Sequence, residues 1–194
     1  MILSDSDILQ AKEKGDIVID PFNENNLQPA SYDLHLDKHF LVFDEIQHHV
    51  IDPKENLDDK MEEVEISEDD PFIIHPNEFA LGMVKEVTGV SESIAGRLEG
   101  KSSVGRLGLL IHVTAGFLDP GNELKLTLEL HNTAPMPIKL YYNMPIAQIA
   151  FERLSDSCND PYSSDDEQED KYYGDMKPKA SQMFKNFDKE QGWV

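Results

Sequence analysis

The chain is poor in cysteine and lacks long apolar runs. Cys158 is the one cysteine among 194 residues, so no intramolecular disulfide can form and a cytoplasmic location is the default expectation. No apolar run approaches the about 18–20 residues that a membrane helix needs. The N-terminal MILSDSDILQ also lacks the basic and apolar regions of a secretory signal. These absences predict a soluble protein without a membrane partner.

Positive charge is scarce as well. The chain has 17 Lys and Arg against 38 Asp and Glu, which gives a formal net charge of −21. Nucleic acids and anionic membranes are bound by clustered Lys and Arg, so the excess of acid argues against both as partners. The ordinary interpretation of the acidity is a solvated surface. A phosphate site would have to be built locally, which makes the few basic clusters informative.

The spacing of apolar residues predicts a mainly β chain. A short helix is expected between Ser4, which precedes two acids, and Gly15. From residue 72 onward, short apolar or alternating segments follow one another with turn signals between them. In ELKLTLELH at 123–131, the leucines share one face and the polar residues share the other. Many short strands with few helices predict an antiparallel barrel or sandwich.

The change in composition after Leu154 predicts two parts. Residues 1–154 carry the strand pattern and form the expected catalytic domain, in which the acidic stretch 44–71 is interpreted as loops around one modest strand. Residues 155–194 have little periodicity and are interpreted as a C-terminal tail. Because this tail contains several aromatic residues, we expect it to pack on another surface.

The segment Gly-Lys-Ser-Ser-Val-Gly-Arg at 100–106 combines small, hydroxyl and basic residues. Its glycines let backbone N–H groups approach an anion, Ser102 and Ser103 add donors, and Lys101 and Arg106 supply charge. Either serine is also a candidate cap for a short helix. Such strings are common in surface turns, so the residues alone leave open a phosphate site and an ordinary turn.

A strand acid is the second candidate for chemistry. Alternation places Glu129 beside Thr127 on the polar face of 123–131, and the preceding loop HVTAGFLDPG carries Thr114 and Asp119. Two carboxylates in differing environments can serve different catalytic steps. A solvent-facing glutamate is the more ordinary interpretation, and the pattern alone does not choose between the two.

Protein-held metals find little support. Zinc nucleobase deaminases need a His-x-Glu and a Pro-Cys-x-x-Cys element, and the chain contains neither. Cys158 stands alone in acidic surroundings that disfavour a thiolate. We therefore expect no zinc and no metal ligands among the site residues.

Several segments together resemble the dCTP deaminase family of the dUTPase superfamily. GKSSVGRLGLLIHVTAGFLDPG followed by LTLEL is similar to the core signature of that family. SYDL at 31–34, PIAQIAF at 145–151, PY at 161–162 and KYYG at 171–174 resemble its more distant marks. The resemblance implies a distorted antiparallel β-barrel of the dUTPase type with a short N-terminal helix. It also implies a homotrimer with active sites at the subunit interfaces and a C-terminal tail that closes over each site.

The resemblance further implies a zinc-free deamination of dCTP by general acid–base catalysis. Glu129 would take a proton from water and pass protons to the pyrimidine N3 and the leaving ammonia. Ser102 and the backbone around Ala115 would hold the water, and Arg106 of a neighbouring subunit would steady charge near the base. Mg²⁺ would ride on the phosphates, and dTTP is a candidate inhibitor. The implied nucleotide contacts are Lys101, Ser102, Ser103, Val104, Gly105, Arg106, Ala115, Asp119, Thr127, Leu128, Glu129, Gln148, Tyr162 and Lys171.

The residues after Thr-Ala in the loop before the strand bear on the product. Family members that stop at dUTP tend to have His-Arg there, whereas this chain has Gly116-Phe117. That pair resembles the bifunctional, dUMP-forming branch, in which Asp119 would position or activate a second water aimed at the α-phosphorus. The alternatives are a deaminase that releases dUTP, a plain dUTPase, and a nucleotide-binding barrel without catalysis.

The C-terminal tail departs from the family pattern. Asp175 stands where the tail usually has glutamine, and the stretch 163–170 is unusually acidic beside a tail that closes over phosphates. Because an acid facing a triphosphate is repelled by it, we expect Asp175 either to point away from the phosphates or to be bridged to them by Mg²⁺.

Overall fold

The structure is a computed structural model that describes residues 1–162 and 170–187. The predicted mainly β class is confirmed within these ranges, in which no helix is long and apolar enough to cross a membrane. The helices and strands, in chain order, are α1 (Asp5–Lys14), β1 (Ile17–Asp20), β2 (Leu27–Gln28), β3 (Ser31–His35), β4 (His39–Phe43), β5 (Met61–Glu65), β6 (Phe72–Ile74), β7 (Phe79–Val90), β8 (Ile94–Gly100), α2 (Ser102–Gly105), β9 (Leu109–Leu110), β10 (Phe117–Leu118), β11 (Glu123–Asn132), β12 (Ile138–Leu140) and β13 (Pro145–Arg153). Short 3₁₀ turns occupy Glu24–Asn26, Asp58–Lys60 and Met183–Phe187.

Helix α1 begins and ends as its sequence predicts. The Ser4 hydroxyl accepts the backbone N–H of Asp7, and the Asp7 carboxylate accepts the backbone N–H of Ser4. This reciprocal cap satisfies two N–H groups that have no partner inside the helix. At the other end, Gly15 takes a left-handed conformation with φ of 81°, which glycine adopts without a steric penalty.

The strands pair antiparallel in three sheets and do not form one closed cylinder. This arrangement is the distorted antiparallel barrel that was expected. One sheet has the order β5-β4-β7-β11-β9, with β1 also paired to β7. The second has the order β10-β8-β13-β3-β2, and the third pairs β12 with β6. A single apolar core lies between them, because residues such as Leu34, Leu128 and Phe151 from both larger sheets are fully buried in it. This burial is the main source of the free energy that stabilises the fold.

Strand β11 carries an irregularity at its beginning. Its register against β7 shifts between Lys125 and Thr127, as in a β-bulge. On the edge of β11 that faces away from β7, the backbone N–H of Lys125 donates to the carbonyl of Asp175 at 2.9 Å, and the Lys125 ammonium lies 2.7 Å from a carboxylate oxygen of Asp37. The C-terminal tail therefore docks on this outer edge of β11.

Candidate functional site

A cavity of about 730 Å³ lies beside β11 and collects six of the predicted site residues. These six are Ala115, Phe117, Asp119, Thr127, Glu129 and Tyr162. Most of the remaining wall is apolar and comes from β4, β7, the acidic stretch and the tail, including Phe43, Ile51, Leu57, Met61, Phe79, Leu81 and Met183. A largely apolar cavity with a few converging polar groups is typical of a small-molecule site.

The carboxylate of Glu129 is held by the loop in front of it. Its Oε2 atom accepts the backbone N–H groups of Val113 at 2.7 Å and Thr114 at 3.2 Å. The backbone N–H of Glu129 also donates to the carbonyl of Ile111 at 3.0 Å, which keeps this loop alongside the strand. Among the described residues, Oε1 has no hydrogen-bond partner. One oxygen is thus fixed, and the other is available to exchange a proton with a ligand.

Asp119 and Tyr162 meet on another side of the cavity, where the turn before β11 packs on the start of the tail. The backbone N–H of Tyr162 donates to the carbonyl of Pro120 at 2.8 Å. Gly121 has φ of 88°, and a Cβ there would lie 2.7 Å from the Tyr162 carbonyl oxygen. Burial, and then the negative charge of Asp170, raise the pKa of the Asp119 carboxyl above its usual value. A carboxylate with a raised pKa is a stronger base than an ordinary one.

The raised pKa of Asp119 predicts a pH-dependent effect on stability. The folded state binds the proton of Asp119 more tightly than the unfolded state does. Ionisation of Asp119 therefore lowers the free energy of unfolding as pH rises above 3.8, the ordinary pKa of the group, and this loss is complete above the raised pKa of the folded state. We therefore expect Asp119→Asn to raise the melting temperature near pH 8 but not near pH 3.5 (roughly the range set by linkage). Thermal unfolding at both pH values measures this. An equal shift at both would mean that ionisation of Asp119 is not the cause.

Gly116 lies against the backbone of β8. The backbone N–H of Leu98 donates to the Gly116 carbonyl at 2.7 Å, and a Cβ on Gly116 would lie 2.9 Å from the Leu98 carbonyl oxygen. Any side chain at 116 must therefore push the loop away from β8. This close approach holds Ala115 and Phe117 at the cavity, and it supplies a physical reason for glycine at position 116.

The segment 101–106 lies outside the cavity. Lys101 is the N-cap of α2, and no side chain caps that helix, so the expectation of a serine cap is wrong. Val104 is buried and anchors the segment, whereas Ser102, Ser103 and Arg106 are exposed. We call residues 101–106 together with Gln148 the loop group. None of its members is among the cavity-lining residues of the described chain.

Polar contacts hold the loop group to β3. The Lys101 ammonium lies 2.6 Å from Oδ1 of Asp33 and forms an ion pair with it. The amide of Gln148 accepts the hydroxyl of Ser31 at 3.1 Å. The predicted site residues thus fall into two separate groups within one chain.

Two other predicted contacts have limited access to the cavity. The Leu128 side chain is fully buried on the opposite face of β11 from Glu129, so only its backbone can meet a ligand. The ammonium of Lys171 donates to the side chain of Asn186, and Lys171 is not among the lining residues. The acidic residues 163–169 lie outside the described ranges.

Sequence reasoning missed part of the cavity wall. Asp175 lines the cavity, and its Oδ1 lies 3.4 Å from the ammonium of Lys179, which also lines it. Burial raises the pKa of the Asp175 carboxyl, and Lys179 opposes that rise. Asp175 thus faces the cavity with a lysine partner, and its expected relation to bound phosphates and Mg²⁺ stays a prediction. The spacing of four residues was the one sequence signal for this pair.

Comparison with known proteins connects this geometry to a family. A family model described as dCTP deaminase-like matches residues 2–154. The protein named dCTP deaminase, dUMP-forming, from Leifsonia xyli is 46% identical over 187 residues, which are 96% of this chain and 92% of that protein. The protein of the same name from Bifidobacterium animalis subsp. lactis is 44% identical over 191 residues, which are 98% of each.

A solved structure agrees on the fold. The crystal structure of 2'-deoxycytidine 5'-triphosphate deaminase from Agrobacterium tumefaciens superposes with a TM-score of 0.62 at 20% identity. The match covers 78% of this chain and 48% of that one, so this chain spans about half the length of that protein. At this identity the likeness supports the fold alone.

Proposed function

This chain belongs to the dCTP deaminase family, and from that membership we infer that it is a hydrolase that converts dCTP and two waters to dUMP, diphosphate and ammonia. The observation that carries the inference is one cavity that holds both Glu129 and Asp119 beside Gly116-Phe117. We place the enzyme in the cytoplasm, with dCTP as substrate and dTTP as a candidate inhibitor.

We assign the deamination to Glu129. Its free Oε1 takes a proton from a water as the water oxygen attacks C4 of the cytosine, and N3 receives that proton. A second proton then moves from the new hydroxyl to the amino group, the C4–N bond breaks, and ammonia leaves behind a C4 carbonyl. The two backbone N–H groups on Oε2 keep the carboxylate aimed throughout. Proton transfer by a positioned side chain of this kind contributes about 10²- to 10⁴-fold.

We assign the second hydrolysis to Asp119. It orients a water toward the α-phosphorus and accepts its proton as the bond from that phosphorus to the bridging oxygen breaks, which releases diphosphate and leaves dUMP. Its raised pKa suits it to act as a base.

We place Mg²⁺ on the phosphates of the nucleotide. This ion takes oxygen ligands and is usually held by one or two carboxylates together with substrate phosphates. Asp119 lines the cavity and can supply such an oxygen. The described parts of the chain contain no group of three or more His, Cys, Asp or Glu side chains able to hold a metal by themselves. The ion would therefore be held mainly by phosphate oxygens of the nucleotide and by water. When bound, the ion offsets charge on the phosphates and on the acidic protein.

We propose that the site is completed between subunits of a homotrimer. The loop group carries Ser102 and Arg106, yet it does not line the cavity of its own chain. The segment that follows α2 exposes a series of apolar side chains, which suits a contact with another copy. These exposed residues are Leu107, Leu110, Val113 and Phe117. In the trimer, the loop group of one subunit would meet the cavity of the next, with Ser102 near the water and Arg106 near the base.

The remaining contacts are assigned to the tail and to β13. Tyr162 already lines the cavity, and Gln148 reaches the nucleotide from the neighbouring loop group. Lys171 would contact the triphosphate after it leaves its partner Asn186. Lys101 would likewise turn from Asp33 toward the phosphates.

Subunit mixing tests the shared site. Arg106→Ala and Glu129→Gln proteins should each be nearly inactive on dCTP. After they are unfolded together and refolded, activity should return to about a quarter of the parental value, because roughly one interface in four then joins two intact residues. Ammonia release measures the recovery. As a control, Arg106→Ala mixed with the doubly substituted protein should stay inactive, and failure of the first mixture to recover would contradict a shared site.

The activity itself is tested with dCTP and dUTP supplied separately. The purified protein with Mg²⁺ should release ammonia from dCTP and form dUMP from both nucleotides. Turnover of dUTP without attack on dCTP would identify a plain dUTPase. Binding of dCTP without turnover of either nucleotide would identify a barrel without catalysis.

A further inference from the structure

Lys179 occupies an unusual electrostatic position. Among the cavity-lining residues of the described chain it is the one cation, whereas Asp119, Glu129 and Asp175 are the acids. Its side chain is 41% exposed, and its ammonium lies 3.4 Å from Oδ1 of Asp175 and 3.5 Å from the carbonyl of Lys171. The ammonium of Lys179 is therefore accessible both from the cavity and from solvent.

The backbone around Lys179 is held in place by the rest of the fold. The carbonyl of Asp175 accepts the backbone N–H of Lys125 on β11 at 2.9 Å. Beyond Lys179, Ala180 is buried, and the backbone N–H of Gln182 donates to the hydroxyl of Tyr172 at 3.0 Å. Because both flanks are anchored, Lys179 is directed to the cavity by the fold rather than being a free surface lysine.

The cavity carries mainly negative charge, so a bound nucleotide needs a cation to offset the repulsion of its phosphates. Three carboxylates line the cavity, and the whole chain carries a net charge of −21. A triphosphate is far more negative than one carboxylate, and lysine binds phosphate as a point charge. The contact between Asp175 and Lys179 is long, at 3.4 Å, and its lysine end is exposed, so a phosphate can compete with Asp175 for the ammonium.

We propose that Lys179 is a further substrate-binding residue. When a nucleotide binds, the Lys179 ammonium moves away from Asp175 and contacts the phosphates. Asp175 is then only the partner of the ammonium while the site is empty, and it is not required for nucleotide binding. This inference rests on the proposed function, since it takes the ligand to be a nucleoside triphosphate.

The experiment compares Lys179→Met with Lys177→Met, a tail lysine two residues away that does not line this cavity. Binding of dCTP, dCDP and dCMP is measured by calorimetry with Mg²⁺, in a Glu129→Gln background so that no substrate is deaminated. Lys179→Met should weaken dCTP binding by about 10-fold or more, the size expected for losing a hydrogen bond to a charged group. The loss should shrink from dCTP to dCMP, and Lys177→Met should leave all three affinities within about 2-fold, as for an exposed surface charge.

Two further variants distinguish phosphate binding by Lys179 from a purely structural role of its ion pair with Asp175. Lys179→Arg, which keeps the charge, should restore dCTP affinity to within about 3-fold of the parent. Asp175→Asn should leave dCTP affinity unchanged or tighter, because a competing carboxylate is removed. If Asp175→Asn weakens dCTP binding as much as Lys179→Met does, the intact ion pair stabilises the structure of the site, and the proposal is overturned. An equal loss for dCMP and dCTP would overturn it too.

Failure of this inference is distinguishable from failure of the proposed function. The parent protein is assayed for dCTP turnover beside the binding experiments. A parent that turns over dCTP while Lys179→Met binds it normally rejects the role of Lys179 alone. A parent that neither binds nor deaminates dCTP rejects the proposed function, and with it this inference.

Discussion

Replacing Glu129 with glutamine is expected to slow dCTP deamination by about 10³- to 10⁴-fold, the upper range for general acid–base catalysis. The amide keeps the shape of the side chain but cannot take a proton from water. Its oxygen can still accept the N–H groups of Val113 and Thr114, so the loop should stay in place and dCTP should bind with nearly unchanged affinity. Ammonia release and calorimetric binding measure the two quantities separately.

Glu123→Gln provides the matched control. Glu123 lies on the same strand and the same face as Glu129, but it is exposed and does not line the cavity. This variant should retain deamination within about 2-fold, as most surface substitutions away from special features have small effects. Comparable losses in the two variants, or retained turnover in Glu129→Gln, would mean that another group moves the proton.

The second large effect is expected at Asp119. With asparagine there, the hydrolytic water loses its base, so dUMP formation from dUTP should fall by about 10²- to 10⁴-fold. Deamination uses Glu129 and should fall much less, and the product of dCTP turnover should therefore change from dUMP to dUTP. Ion-exchange separation of the nucleotides over a time course measures the change.

Asn122→Ala is a neighbouring comparison for that effect. Asn122 is a buried residue in the same turn and also lines the cavity, but it carries no ionisable group. A general disturbance of the turn should lower both reactions in this variant without accumulation of dUTP. Continued release of dUMP by Asp119→Asn at the parental rate would exclude Asp119 as the base for the second step.

Local patterns were sufficient to predict much of the fold. The cap at Ser4 and the stop at Gly15 depend on neighbouring residues only, and the alternation in β11 sets which side chains are buried. The same alternation places Glu129 and Thr127 together on the polar face of β11, and both line the cavity. These features follow from hydrogen bonding and side-chain direction within one element.

Long-range contacts account for what the sequence did not predict. The acidic stretch is predicted to form loops around one modest strand, and β5 is that strand, but the pattern does not predict that Ile51, Leu57 and Met61 form a wall of the cavity. Asp175 meets Lys179 there after the backbone N–H of Lys125, on the outer edge of β11, has bound the carbonyl of Asp175. Neither contact has a local period, since each depends on segments brought together by the finished fold.

The two groups of predicted site residues also have a physical explanation. Composition and spacing do not show which copy of the chain supplies each residue, whereas the family resemblance implies that Arg106 comes from a neighbouring subunit. Lys101 and Arg106 follow β8, while Glu129 lies on β11 in the other large sheet. The proposed homotrimer would bring both groups to one nucleotide.

The stoichiometry of a single turnover of dCTP shows whether this enzyme both deaminates the base and releases diphosphate. Excess enzyme with Mg²⁺ is mixed with dCTP, the reaction is stopped at successive times, and ammonia, diphosphate and each nucleotide are quantified. Ammonia, diphosphate and dUMP are expected in equal final amounts. Ammonia with dUTP but without diphosphate would contradict the dUMP-forming activity, and diphosphate without ammonia would contradict deamination.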